Sequence, residues 1–166
     1  VVHLAQACNE LLPGDRAIGH VRYGKSEENG NKNVQPVAVD YGEQPIAVAH
    51  NGNLVNAETA RRDLERRGAI FFSTSDTEVI LHLIAREYAG DLASAVRAVL
   101  PRLGGHFAFV VGHVAEPGRL VAARRECPLV IGVGEGERFV ASAIPAFLHE
   151  TRDIVALEDD EVVVLE

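Results

Sequence analysis

Apolar positions along the chain alternate between helical and strand-like spacing, and these changes divide it into elements. Residues 1–12 carry Val1, Leu4, Ala5, Cys8, Leu11 and Leu12 at helical intervals before Pro13-Gly14, which predicts a short helix. Residues 16–23 read as a strand, and 24–33, rich in Gly and Asn, as a flexible loop. Short strands follow at 37–39 and 46–49, joined through Tyr41-Gly42. His50-Asn51-Gly52 then interrupts the apolar run, and Asn-Gly is a common tight-turn dipeptide. Asn56 is placed to cap a helix that Gly68 ends, with Ala57, Ala60 and Leu64 on one face. Residues 69–72 suggest a strand. Ser75-Asp76-Thr77-Glu78 has the form of a capping box before the stripe Val79, Ile80, Leu83, Ile84. A third helix is expected over 92–103, kinked near Pro101.

Beyond His106 the period becomes two. Strands are predicted at 107–111, 120–123, 129–133, 139–141, 154–157 and 162–165, with a short helix at 145–149. Gly132-Val133-Gly134-Glu135-Gly136 has the glycine spacing of a phosphate loop, but a strand follows where such a loop needs a helix. These glycines are expected to make a hairpin. Strands, then helices, then strands point to helices packed on antiparallel sheets, in one domain spanning 1–166.

The chain has 166 residues, 47% of them hydrophobic and 24% charged, a globular balance. A net charge of −8 argues against a nucleic-acid partner, because phosphate binding needs a clustered basic face. Arg61-Arg62 and Arg66-Arg67 are interleaved with Glu58, Asp63 and Glu65, the pattern of a solvated helix face. No apolar run approaches the ~20 residues a membrane span requires. Cys8 and Cys127 form no metal or redox motif and read as reduced thiols of a cytoplasmic protein. The histidines lack metal-site spacing, so no metal or other cofactor is expected.

Three candidate groups remain, and each has an ordinary explanation. Arg22, before a loop, could clamp a carboxylate or make a surface ion pair. Asp76, at a helix N-terminus, could hold an ammonium group or complement the helix dipole. The Asn51 amide and Gly52 N–H could stabilise an oxyanion or sit in a turn. Taken together they outline an amino acid with a reactive side-chain carbonyl.

Several stretches, in order, resemble the glutaminase domain of class II glutamine amidotransferases, a branch of the N-terminal nucleophile hydrolases. They are Ile18-Gly19-His20-Val21-Arg22-Tyr23, Asn33-Val34-Gln35-Pro36, Ala49-His50-Asn51-Gly52-Asn53-Leu54 and Ser75-Asp76-Thr77-Glu78-Val79-Ile80. Later come Ala122-Ala123-Arg124, Pro128-Leu129-Val130-Ile131-Gly132 and Phe139-Val140-Ala141-Ser142. The resemblance implies an α+β fold, a four-layer α/β/β/α sandwich of two antiparallel sheets between helices. It implies that Arg22 and Tyr23 bind glutamine with Asp76, Arg22 taking the carboxylate and Asp76 the amino group. Asn51 and Gly52 would form the oxyanion hole. It also implies ammonia delivery to a downstream synthase domain and a homo-oligomer. The second half is similar to glucosamine-6-phosphate synthase, and the Arg-Tyr and His-Asn-Gly-Asn-Leu segments to amidophosphoribosyltransferase. The alternative is a non-catalytic amino-acid-binding or regulatory module.

The family nucleophile is a cysteine at the mature N-terminus, whose α-amine acts as base. The chain starts at Val1, so the domain is expected to be N-terminally incomplete and inactive as it stands. Lys25 and Ala143 depart from the threonine and aspartate usual in the family at those places.

Overall fold

A computed structural model describes residues 14–21, 30–42 and 44–166, so the helix expected over 1–12 lies outside the described residues. Strands β1 (Val37–Tyr41), β2 (Gln44–Leu54), β3 (Gly105–His113), β4 (Leu120–Arg125) and β8 (Val162–Leu165) form one antiparallel sheet in the order β1-β2-β3-β4-β8. Strands β5 (Val130–Val133), β6 (Arg138–Ala141) and β7 (Ile154–Ala156) form a second, in the order β6-β5-β7. Helices α1 (Ala57–Arg66), α2 (Asp76–Glu87) and α3 (Leu92–Val99) lie between β2 and β3 in the chain. The α+β class and the two antiparallel sheets are as expected. Among the described residues no helix is long and apolar enough to cross a membrane.

The period of two decides what each face of the large sheet meets. Phe107, Phe109 and Val111 of β3, with Val121 and Ala123 of β4, join the core formed with the helices. The intervening Ala108 and Ala122 cluster with Leu129, just before β5, and with Ile131 of the second sheet. Large side chains fill the helix-facing layer, and alanines let the two sheets approach. Helix α2 is buried along the whole run from Thr77 to Ile84, as a helix with neighbours on several sides must be. On the outer face of the small sheet Phe147 stacks on Phe139, and a Cβ on Gly132 would meet its ring. The glycine-rich segment 132–136 is the expected β5–β6 hairpin, with Gly136 at φ 77°.

Several expected elements are corrected. Strand β2 does not stop at Ala49: His50 to Leu54 continue it, pairing with Phe109 to Gly105 of β3. Residues 69–72 form no strand, because the N–H groups of Phe72 and Ser73 donate to the Glu78 carboxylate instead of a neighbouring strand. The described residues of 16–23 are not a strand either, and the end of the expected flexible loop is a 3-10 turn at Gly30–Asn33. Helix α3 stops at Val99 and tightens into a 3-10 turn around Pro101. The helix expected over 145–149 reduces to a 3-10 turn at Ile144–Ala146. Asn56 makes no capping hydrogen bond; its amide donates to Arg102 O and accepts from Gly104 N–H. Ser75 does cap α2, accepting from Thr77 N–H, while Glu78 turns inward.

Two buried histidines make stability pH-dependent. His82 packs against Phe71, with its Nδ1 3.2 Å from the Tyr41 hydroxyl. Burial pushes its pKa below the ordinary 6.5, only partly offset by Glu78. Burial likewise lowers His113, which stacks on Tyr88 and is partly offset by Glu116. Both are favoured neutral in the fold, whereas the unfolded chain takes up protons below 6.5. Their contribution is therefore complete above that pH and declines as pH falls through and below it. The urea midpoint is expected to be lower at pH 5.5 than at 7.5; equal midpoints would contradict this.

Candidate active site

Strand β2 changes character half-way along. Its first half pairs with β1 on one side and β3 on the other, Val48 being the last residue opposite β1. From Ala49 to Leu54, among the described residues, only β3 is paired. The opposite edge is open, and which N–H groups face it follows from strand periodicity. Pro45 O accepts from Val114 N–H and Val55 N–H donates to Gly104 O, so odd positions face β3 and even positions face away.

On the open edge His50 N–H donates to Gln35 Oε1 at 2.7 Å, and Leu54 N–H to Asp76 Oδ2 at 3.0 Å. Gly52 lies between them, in the same row. Side chains thus occupy two of the three positions a missing strand would fill, and the middle N–H faces the cavity.

Gly52 has φ 126°, a conformation side chains rarely adopt. A Cβ there would meet the His106 carbonyl oxygen and lie 2.8 Å from Phe107 Cα. Only glycine fits. The exposed neighbour Asn51 lies on the sheet–sheet face of the strand with Ala49, whereas His50 turns towards α2.

The cavity in front of this edge measures about 620 Å³ and is lined by Asn33, Gln35, Asn51, Gly52, Asn53 and Asp76, among others. Asp76 opens α2, and its side chain is 24% exposed. Burial tends to raise its pKa, but contacts from His50, Leu54 N–H and Thr77 N–H outweigh this and hold it below 3.8. It is a carboxylate at neutral pH. A second cavity, of about 360 Å³, lies between the sheets against Ala49, Ala108, Val110 and Leu129; both are lined by His20, His50 and Asn51.

The walls rest on contacts that sequence patterns did not signal. Asn33 exchanges hydrogen bonds with Thr74, donating from Nδ2 to Oγ1 and accepting from Thr74 N–H, both at 3.1 Å. Arg62 pairs with Glu58, and Arg66 and Arg67 with Asp63, as the helix-face pattern suggested. Arg61 departs from it: its guanidinium donates to Ser73 O and Ser75 O and lies 4.0 Å from the Phe71 ring centre. Glu78, fully buried, accepts from Phe72 N–H, Ser73 N–H and the Ser73 hydroxyl. Together Arg61 and Glu78 fix the segment carrying Thr74 and Ser75 into the cavity wall. Gln35 is part of the Asn-x-Gln-Pro segment, but nothing in the sequence alone connects it to His50.

Of the sequence-predicted site residues, Asn51, Gly52 and Asp76 converge on this cavity, whereas Arg22 and Tyr23 lie outside the described residues, as do Cys8 and Lys25. Cys127, between β4 and β5, is half-buried, and burial pushes its thiol up. Among the described residues no cluster of His, Cys, Asp or Glu could hold a metal ion.

The sequence pattern of the glutamine amidotransferase domain matches residues 24–149. The chain belongs to this family of class II amidotransferases. This amidotransferase chain is 44% identical over 167 residues to the glutamine–fructose-6-phosphate aminotransferase (isomerizing) of Mycolicibacterium paratuberculosis, covering 98% of the chain and 26% of the relative. It is 46% identical over 142 residues to the corresponding enzyme of Symbiobacterium thermophilum, covering 86% of the chain and 23% of the relative. The chain thus spans about a quarter of the length of these relatives. Among solved structures, the glutamine phosphoribosylpyrophosphate amidotransferase of B. subtilis aligns at TM-score 0.71 and 33% identity, over 87% of the chain and 31% of that protein. An allosteric regulatory enzyme of purine biosynthesis aligns at 0.76 and 33% identity, over 87% of the chain and 32% of that protein.

Proposed function

We propose that residues 1–166 belong to the glutaminase domain of a cytoplasmic aminotransferase, binding L-glutamine and releasing ammonia to a downstream synthase domain of the glutamine–fructose-6-phosphate type. The open edge of β2 carries the reading: among the described residues one N–H donor, at Gly52, is left facing a polar cavity between two donors already engaged. In this reading the Asp76 carboxylate takes the glutamine ammonium, and Arg22 with Tyr23 takes its carboxylate. The side-chain carbonyl then lies at Asn51 and Gly52.

Thiolate attack would place negative charge on that oxygen. The Asn51 amide and Gly52 N–H, fixed on a paired strand before reaction, stabilise the charge without having to reorganise. Collapse of the intermediate expels ammonia, and water then releases glutamate. Cys127 does not suit the role of attacking thiolate, because it lines neither cavity and burial pushes its thiol up; the family resemblance assigns that role to an N-terminal cysteine.

Binding and chemistry should therefore separate. Titration calorimetry of the 166-residue chain is expected to detect L-glutamine in preference to L-asparagine, while an assay for glutamate stays at background. No glutamine binding would overturn the reading, and glutamate release would overturn the assignment of the nucleophile. The amidophosphoribosyltransferase reading draws on the solved structures, but their 33% identity falls below the 44% of the aminotransferase relative.

A further inference from the structure

Position 50 carries a side chain that packing does not call for. It belongs to the helix-facing row of β2 whose earlier members, Ile46 and Val48, are fully buried apolar residues. His50 is 4% exposed in the same layer, and among the described residues its buried Nε2 has no hydrogen-bond partner. An apolar residue would fill the space without stranding a polar nitrogen. What the imidazole adds is on its other nitrogen: Nδ1 lies 3.2 Å from Thr77 Oγ1 and 3.6 Å from Asp76 Oδ1. The carboxylate beside it favours the tautomer with the proton on Nδ1, which then donates to the Thr77 hydroxyl and faces Asp76.

The main chain at this residue is fixed as well, by its N–H bond to Gln35. The two oxygens of Asp76 are therefore addressed from both ends of one short stretch: Oδ1 by the His50 ring and Oδ2 by Leu54 N–H. Asn51 and Gly52 lie between those ends.

We propose that His50 is a positioning residue, holding the Asp76 carboxylate at a set distance from the Asn51–Gly52 pair so that one stretch of β2 fixes both ends of the bound amino acid. The proposal rests on the glutaminase reading, and it makes the grip on the ammonium group depend on a ring that acts through the Asp76 carboxylate. The contact from His50 also belongs to the set that overcomes the effect of burial on Asp76.

The test uses titration calorimetry of the 166-residue chain with two ligands, L-glutamine and glutaramate, which is glutamine without its α-amino group. His50→Leu is expected to weaken glutamine about five- to tenfold and leave glutaramate unchanged. In carboxyl 13C NMR the same variant should raise the Asp76 titration. His50→Asn, whose amide nitrogen can stand where Nδ1 stood, should restore both readouts, whereas His50→Gln should not. If His50→Leu fails to fold, His50→Gln carries the comparison. Unchanged glutamine affinity, or equal losses for the two ligands, would overturn the proposal. No glutamine binding by the unsubstituted chain would instead overturn the glutaminase reading.

Discussion

Gly52→Ala is expected to be the most damaging single-atom change in the described part of the chain. The added methyl would meet the His106 carbonyl oxygen and the Phe107 main chain, and the residue would have to keep φ at 126°. Strain of that kind costs on the order of 1–3 kcal/mol for the backbone conformation alone. The clash is with main chain of the paired strand, which cannot rotate away as a side chain could. A combined loss of about 3–5 kcal/mol follows, at the upper end of what one substitution does. For a domain of this size that lowers the melting temperature by roughly 10 °C or more. Thermal or urea unfolding reads the loss directly, and calorimetry should show glutamine binding lost with it. A variant as stable as the original, or one that still binds glutamine as tightly, would mean that β2 can shift away from β3 and that the strand is not the rigid seat described above.

Asp76→Asn has the next largest expected effect, and on a different quantity. The substitution keeps an acceptor for Leu54 N–H and nearly the same shape, but removes the charge proposed to meet the glutamine ammonium. Loss of a partly buried charge pair costs about 2–4 kcal/mol, or roughly 30- to 1000-fold in affinity. Stability should change far less, because the carboxylate is 24% exposed and water replaces part of what it loses. The pH dependence has a defined sign. The carboxyl titrates below 3.8, so its contribution is present above that value and is lost only as pH falls through the lowered pKa. Glutamine affinity is therefore expected to be flat between pH 7 and 5 as far as Asp76 is concerned. An Asp76→Asn chain that binds glutamine as tightly as the original would remove the carboxylate from the site.

Much of this architecture is legible in the sequence where local and tertiary signals agree. The alternation in Phe107 to Val111 marks both faces of β3, and Ser75 caps α2 because the hydroxyl and the N–H it serves are two residues apart. The glycines at 132–136 close a hairpin for an equally local reason. The reading fails where the deciding partner is remote. Asn51-Gly52 carries turn chemistry, yet pairing with Phe107 and Ala108 holds it in a strand. Residues 69–72 have strand composition, but the Glu78 carboxylate captures the N–H groups that a ladder would use. Asn56 could cap its own helix and binds the 102–104 segment instead.

The site divides in the same way. Residue types suited to an amino acid at Asn51, Gly52 and Asp76 could be named from the chain together with its family resemblance, and the three do line one cavity. Their supports could not. Gln35, Arg61 and Glu78 act on main-chain groups of other segments, and main-chain acceptors and donors leave no mark on sequence.

The half-paired edge of β2 also bears on self-association. An unpaired strand edge invites a strand from another molecule, and proteins usually guard such edges with charge, proline or a covering segment. An incoming strand would need the N–H groups of His50, Gly52 and Leu54 in succession. Gln35 and Asp76 already hold the first and last, and the carboxylate would repel an approaching carbonyl. Among the described residues, what remains is a gap one acceptor wide. The edge can admit a single oxygen atom while refusing a polypeptide, so the guard against aggregation and the selection of a small ligand are the same pair of side chains.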